Sequence, residues 1–167
     1  FDAFVKTGNG ALGKEDYQTA IDNYDKALAL FDDAEVKKNR DKAQKALDDK
    51  NANEAIEKKF QELMTKAKDQ YSAKNYKEAL ATYKEASGVK PTEQLPKDRI
   101  AEIEKLLADE AAKEADFKKF VDAGDKAMTA ESYDDAISNY ENALKVKDDS
   151  GVKTKLEDAK KKKADKE

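Results

Sequence analysis

Carboxylates and ammonium groups are the abundant reactive side chains of this 167-residue chain, which has 37 acidic and 33 basic residues but no His and no Cys. Without His or Cys, the sequence offers no obvious nucleophile–base couple, no thiol chemistry and no usual zinc ligands. Most carboxylates are flanked by lysines at helical spacing, which is typical of surface ion pairs worth about 0.2–0.5 kcal/mol each. We therefore expect a protein that is not an enzyme and that uses no cofactor and no metal.

One segment resembles the start of a calcium-binding loop, Asp49-Lys50-Asn51-Ala52-Asn53-Glu54. Such a loop requires a glycine at its sixth position and a bidentate glutamate at its twelfth. Glu54 and Phe60 occupy these two positions. The sequence therefore predicts no calcium site in this segment.

The charge pattern limits the classes of partner. The net charge is −4, the two signs are interspersed, and Arg40 and Arg99 are the only arginines, although phosphate-gripping sites favour arginine. No apolar run approaches the length that spans a membrane. We expect a protein or peptide partner, no nucleic acid and no membrane insertion. The start at Phe1, without Met or a signal peptide, favours a piece of a longer chain.

Charged residues make up 42% of the chain and hydrophobic ones 38%, which predicts a thin core. The pattern Tyr-x-x-Ala-[Ile/Leu]-x-x-Tyr-x-x-Ala accounts for that core, and it begins at Tyr17, Tyr76 and Tyr133. The apolar positions form one stripe of a helix, in which small alanines allow close approach and tyrosines fill the space beside them. A pattern that recurs at a nearly constant period of 57–59 residues predicts a repeat architecture.

The elements around each motif can be predicted from caps and breakers. Residues 1–13 form a helix before the first motif, and Asp16, Asn75 and Ser132 are N-caps of the motif helices, with a capping box from Asn75 to Glu78. The absence of Gly and Pro between Ala34 and Tyr71 predicts one helix of about 40 residues, which ends near Ala73.

The second motif helix is predicted to end at residues 87–88, and a long loop leads to Pro96 in the first turn of a helix from Lys97 to about Ala130. A last helix is predicted from Val152. From Lys160 onward the chain has nothing to bury, so we expect a solvated helix end, with a basic binding patch as the alternative.

These hairpins resemble tetratricopeptide repeats (TPRs). The chain departs from that family because its period is longer than the usual 34 residues, which we attribute to a long third helix inserted after each hairpin. Residues 90–93 and 96–103 further resemble repeat regions of bacterial cell-envelope proteins. The family's consensus positions fall on Phe4, Gly8, Ala20, Tyr24 and Ala27, on Leu63, Ala67, Ala79, Tyr83, Ala86 and Pro91, and on Phe120, Gly124, Ala136, Tyr140 and Ala143.

The resemblance implies partner binding along the first helix of each hairpin. Some members clamp a terminal carboxylate there with Lys and Asn, but only Asn9 fits such a clamp, so we expect none. Apolar pairs seven residues apart recur on this face, and their alternative role is packing against the inserted third helix. The candidate partner-binding residues are Val5, Asn9, Leu12, Met64, Lys68, Tyr71, Val121, Asp125 and Met128.

The predicted architecture is all-α, an α-solenoid in the form of an extended, slightly curved rod of three TPR-like hairpins connected by long shared helices. The predicted domains are residues 1–57, 58–114 and 115–167. The predicted function is a non-catalytic protein–protein interaction scaffold, and the alternative is a purely structural spacer or stalk in a larger cell-surface or envelope protein. The resemblance favours the bacterial periplasm or cell surface.

Overall fold

A computed structural model describes residues 1–166, and over these residues it contains seven α-helices and no strand. The prediction of an all-α protein is confirmed. The helices are α1 (Asp2–Leu12), α2 (Tyr17–Leu30), α3 (Ala34–Ser72), α4 (Tyr76–Val89), α5 (Gln94–Thr129), α6 (Tyr133–Val146) and α7 (Ser150–Lys166).

The chain divides into two compact units, Phe1–Pro96 and a second unit that begins at Lys97. Helices α1 to α4 lie in the first unit, while α6, α7 and most of α5 lie in the second. The repeat boundaries predicted at 57/58 and 114/115 fall inside α3 and α5. The division into three repeats stays a prediction.

The core of the first unit forms around the first motif helix. Ala20, Ile21, Tyr24 and Ala27 are buried on one stripe of α2, as the spacing of the motif predicts. Helix α1 covers this stripe with Gly8 and Ala11, and the first half of α3 adds Val36 and Ala43. Small residues line most of this contact, so the helices pack closely around the one large ring of Tyr24.

Helix α3 belongs to two packing clusters of the first unit. It is a single helix of 39 residues, in agreement with the length that the absence of Gly and Pro predicts. Its first half packs on α2, where the Arg40 guanidinium donates to the Asp25 carboxylate over 3.1 Å. Its second half packs on α4, where the Thr82 hydroxyl donates to the Gln70 side-chain oxygen over 2.7 Å. One helix therefore completes the first hairpin and opens the second.

The second unit has an equivalent core. Ala136, Tyr140 and Ala143 of α6 are buried against Val152, Leu156 and Ala159 of α7. Phe117, Phe120 and Val121 of α5 pack at the edge of this cluster and are half-buried. Helix α7 thus covers α6 in the same way that the first half of α3 covers α2.

The turn after the first helix of each hairpin is the same in all three copies. In each turn one amide bonds to the carbonyl five residues earlier, and the residue before that amide has left-handed backbone, which is the arrangement of a Schellman motif. Glycine is common at the left-handed position, because other residues are strained there. This chain places charged residues at it, namely Glu15 (φ 60°), Lys74 (φ 62°) and Glu131 (φ 54°).

The predicted N-cap residues of the motif helices occupy the N-cap position in all three copies, but only one of them bonds the helix through its side chain. The Asp16 carboxylate accepts the Thr19 amide at 3.2 Å, whereas the side chains of Asn75 and Ser132 make no capping hydrogen bond. A charged carboxylate bonds helix amides more strongly than a neutral amide or hydroxyl does. Aspartates also cap α3 and α7, at Asp33 and Asp149.

Three predicted boundaries are shifted by a few residues. Helix α4 passes through Gly88 to Val89, since no glycine with positive φ stops it there. Helix α5 begins at Gln94, which leaves Pro96 in the first turn, where amides have no helical partner. Helix α7 begins at Ser150, because the Asp149 carboxylate caps it.

Candidate functional site

Two open grooves lie at equivalent positions on the second halves of α3 and α5. Each groove follows one helix face, with lining residues spaced by three or four. Adding 57 to the numbers of six of the seven α3 residues gives the six residues of the α5 groove, and Gln70 has no counterpart there. Their volumes are about 620 Å³ on α3 and 480 Å³ on α5. The α3 groove is lined by Lys58, Gln61, Glu62, Thr65, Lys66, Asp69 and Gln70, and the α5 groove by Ala115, Lys118, Lys119, Asp122, Ala123 and Lys126.

The two grooves differ in charge. Two lysines and two carboxylates line the α3 groove, and three lysines and one carboxylate line the α5 groove. On α5 the Lys118 ammonium bonds the Asp122 carboxylate at 2.6 Å, and this hydrogen bond raises the pKa of Lys118. The position of the groove is therefore repeated, while its net charge changes from zero to +2.

Part of the predicted partner-binding face on α1 packs against the core. Val5 and Leu12 are half-buried and pack on the first-unit cluster. Asn9 is exposed, but its side-chain oxygen accepts the Tyr24 hydroxyl at 2.8 Å. A Cβ atom on the neighbouring Gly8 would lie 2.7 Å from the Tyr24 ring, so only glycine lets the ring reach this position unhindered. Burial raises the pKa of Tyr24.

The equivalent face of α5 holds a charged version of the same contact. Val121 and Met128 are half-buried on the second-unit cluster, and a Cβ on Gly124 would lie 2.5 Å from the Tyr140 ring. The Asp125 carboxylate accepts the Tyr140 hydroxyl at 2.7 Å and the Lys155 ammonium at 2.7 Å.

These contacts change the acidity of both groups. Burial opposes ionisation of Asp125, but the hydrogen bonds from Lys155 and Tyr140 outweigh it, and the net effect lowers the pKa of the carboxyl group. Burial, followed by the hydrogen bond to Asp125, raises the pKa of Tyr140 well above its ordinary value. The tyrosine therefore stays a neutral donor, and the aspartate stays an anion.

The second half of α3, which forms the first helix of the second hairpin, carries the next part of the predicted partner-binding face. Met64 is half-buried and Lys68 is exposed. Tyr71 packs edge-to-face on Tyr76 with ring centroids 5.5 Å apart. The nine predicted residues thus lie on three helices, where some are half-buried and others exposed, and none of them lines the α3 groove or the α5 groove.

A contact of one lysine with a phenylalanine ring and a glutamate recurs at the ends of the second and third hairpins. The Lys90 ammonium lies 4.9 Å from the centre of the Phe60 ring and 2.8 Å from the Glu57 carboxylate. Lys147 makes the same contacts with the Phe117 ring, at 5.0 Å, and with Glu114, at 2.9 Å. In the first hairpin the equivalent pair is Phe31 and Phe1, which meet edge-to-face at 5.7 Å.

The lysine-rich end of α7 is bound to α6 and to the turn before it. Lys163 pairs with Asp134 at 2.7 Å and Lys166 with Glu131 at 3.0 Å, and the Lys166 ammonium lies 5.4 Å from the centre of the Tyr133 ring. Ala159 is the last fully buried residue, so ion pairs hold the final turns. The alternative of a basic binding patch is weakened, because carboxylates of the same unit neutralise these lysines.

Within residues 1–166 the second unit also holds two smaller pockets, of about 400 Å³ and 310 Å³, and the predicted residues Asp125 and Met128 line the second of them. No group of three or more potential ligands converges on a metal position among the described residues, and the segment 49–54 is part of α3. Across the same residues, none of the helices combines the length and the apolar character needed to cross a bilayer. No family model matches the chain, and no curated protein has a significantly similar sequence.

Proposed function

We propose that this protein is a non-catalytic interaction scaffold whose three helical hairpins are TPR-like, and that it binds partners along the α3 and α5 grooves. The observation that carries this proposal is the recurrence of an open groove, in the same register, on both helices. Repeat proteins commonly present such repeated helix faces to peptides and other proteins.

The lining residues support binding over incidental packing. Lys58, Glu62 and Lys66 on α3 correspond to Ala115, Lys119 and Ala123 on α5. The buried positions, in contrast, keep their types, since Ala20, Tyr24 and Ala27 correspond to Ala136, Tyr140 and Ala143. A constant core with a variable groove is the pattern that a repeat scaffold needs to distinguish partners.

The TPR-like assignment is supported by the glycine–tyrosine contact, which holds the two helices of a hairpin close together. An extended α-solenoid would follow from such hairpins stacked through shared helices. Small-angle scattering tests this arrangement. We expect a radius of gyration well above about 16 Å, the value for a compact domain of this length, and a value near it would exclude the extended rod.

The binding proposal can be tested with a displayed peptide library selected on the full chain. We expect enriched peptides whose binding is lost when a bulky side chain fills a groove, as in Thr65→Trp or Asp122→Trp. The matched control is Lys84→Trp, an exposed site on α4 that lines neither groove. Peptides that bind all three variants equally would contradict the proposal.

The alternative is a spacer or stalk in a larger protein of the bacterial cell surface or envelope. The observation that favours it is the use of the predicted apolar residues in the cores, since Val5, Leu12, Val121 and Met128 all pack on buried clusters. A spacer requires no binding groove. Failure of the library to yield any specific peptide would favour this alternative.

A further inference from the structure

We propose that the α5 groove binds an acidic peptide segment, whereas the α3 groove does not. This inference rests on the proposed scaffold function and names the chemistry of one partner. The groove on α5 lies wholly in the second unit, so the proposed peptide contacts that unit alone.

Charge is the first support. The single carboxylate of the α5 groove, Asp122, already bonds Lys118 at 2.6 Å. Lys119 and Lys126 have no ion-pair partner among residues 1–166. Two unpaired ammonium groups on one open face attract anionic partners and oppose cationic ones.

Geometry is the second support. Lys119 and Lys126 are seven residues apart, so they lie on the same side of α5 at a separation of about 10.5 Å along the helix. A peptide in the polyproline II conformation has three residues per turn and a rise of about 3.1 Å per residue, so it places side chains i and i+3 on one side about 9.3 Å apart, close to this separation. The small side chains of Ala115 and Ala123 leave space along the groove for the peptide backbone.

The α3 groove provides an internal comparison at the equivalent position of another helix. Lys58 faces Glu62 at 4.0 Å, and Lys66 shares the groove with Asp69. Its two positive and two negative groups cancel. An acidic segment therefore gains no net attraction at α3.

The experiment uses the full chain and a fluorescein-labelled synthetic peptide with glutamate at every third position and alanine or serine elsewhere. Fluorescence anisotropy at low ionic strength measures the Kd. We expect the double variant Lys119→Gln with Lys126→Gln to weaken binding by about threefold or more, since each exposed ion pair contributes modestly. The matched variant Lys58→Gln with Lys66→Gln should change the Kd by less than about twofold.

Circular dichroism verifies that both double variants keep their helices, which is expected because all four side chains are exposed. Equal weakening by the two variants would overturn the inference, since diffuse charge would then explain binding. Absence of binding by the acidic probe, while a neutral library peptide still binds, would overturn the inference and leave the scaffold function intact. Absence of binding by both kinds of peptide would overturn both proposals.

Discussion

The first and third hairpins bury their tyrosines in the same way but anchor the hydroxyl groups differently. Tyr24 lies on Gly8 and donates to the neutral side chain of Asn9. Tyr140 lies on Gly124 and donates to Asp125, which also binds Lys155 of α7. Packing between small and large residues is thus the constant part of the hairpin, and the polar anchor is variable.

The difference has a structural consequence in the second unit. Lys155 belongs to α7, so the charged anchor joins all three helices of its cluster. The neutral anchor of Asn9 joins only α1 and α2. We therefore expect the charged anchor to make the stability of the third hairpin depend on pH. The neutral anchor should give the first hairpin no such dependence.

The largest effect on stability is expected when the buried tyrosine ring, which both hairpins share, is removed. Tyr24→Ala and Tyr140→Ala each remove a side chain that is at most 1% exposed, and each should lower the free energy of unfolding by about 3–5 kcal/mol. Urea denaturation measures the change. Tyr133→Ala, at a half-buried position, is the control and should cost much less. Similar losses for all three would contradict the packing account.

A smaller loss is expected when a methyl group is added at the glycine. Gly8→Ala and Gly124→Ala push a Cβ into a tyrosine ring, and this overpacking should cost about 1–3 kcal/mol. The loss should be larger at Gly124, where the contact is shorter.

Gly10 offers a matched control for these variants. It lies on the same helix as Gly8, but a Cβ there would meet nothing within 4 Å. Gly10→Ala should therefore stabilise the protein by up to about 1 kcal/mol through helix propensity. Stabilisation by Gly8→Ala of the same size would show that the close contact with Tyr24 is absent.

The turns should respond alike in the two hairpins. Glu15→Gly and Glu131→Gly each relieve a left-handed backbone conformation and should raise the free energy of unfolding by about 0.5–1 kcal/mol. The adjacent Lys14 has no positive φ, so Lys14→Gly should destabilise the protein. Thermal unfolding distinguishes the two cases, and equal shifts for Glu15→Gly and Lys14→Gly would be evidence against backbone strain.

The smallest expected effect is a pH-dependent change in stability, which distinguishes the charged anchor at Asp125 from the neutral anchor at Asn9. The pKa of Asp125 is lowered in the folded state, so its contribution to stability is present above the ordinary carboxyl value, about 3.9, and is lost as the pH falls through the folded pKa. Asp125→Asn should therefore destabilise the protein by less than about 1 kcal/mol at pH 7 and hardly at all near pH 2. Asn9→Ala is the control, and its effect should stay constant over this range. A loss from Asp125→Asn that does not change with pH would contradict the charged anchor.

Much of the fold follows from local rules in the sequence. The stripe around Tyr24 predicts the buried face of α2, and the absence of Gly and Pro predicts the length of α3. The bond between Tyr24 and Asn9 could not be predicted in the same way, because it joins positions 15 residues apart on two helices. The N-cap positions of Asn75 and Ser132 were predicted correctly, but their side chains make no capping hydrogen bond, because residue type alone does not ensure one.

The grooves were missed for a different reason. The repeated apolar pairs have similar residue types in each copy, and the pairs on α1 and α5 lie at the edges of the cores. Groove positions such as Glu62 and Lys119 differ in type while they share a register. The sequence signal that could have found them is the 57-residue spacing itself. Comparing polar positions 57 residues apart, on the helix before each motif, brings the two grooves into register.

The most direct test of the scaffold function is chemical-shift mapping on the ¹⁵N-labelled full chain with a library-selected peptide. The proposal predicts that the largest amide shifts fall within residues 58–70, residues 115–126 or both. Shifts concentrated on the core-edge residues Val5, Leu12 and Met128, which lie outside both ranges, or spread without pattern over the chain, would contradict it.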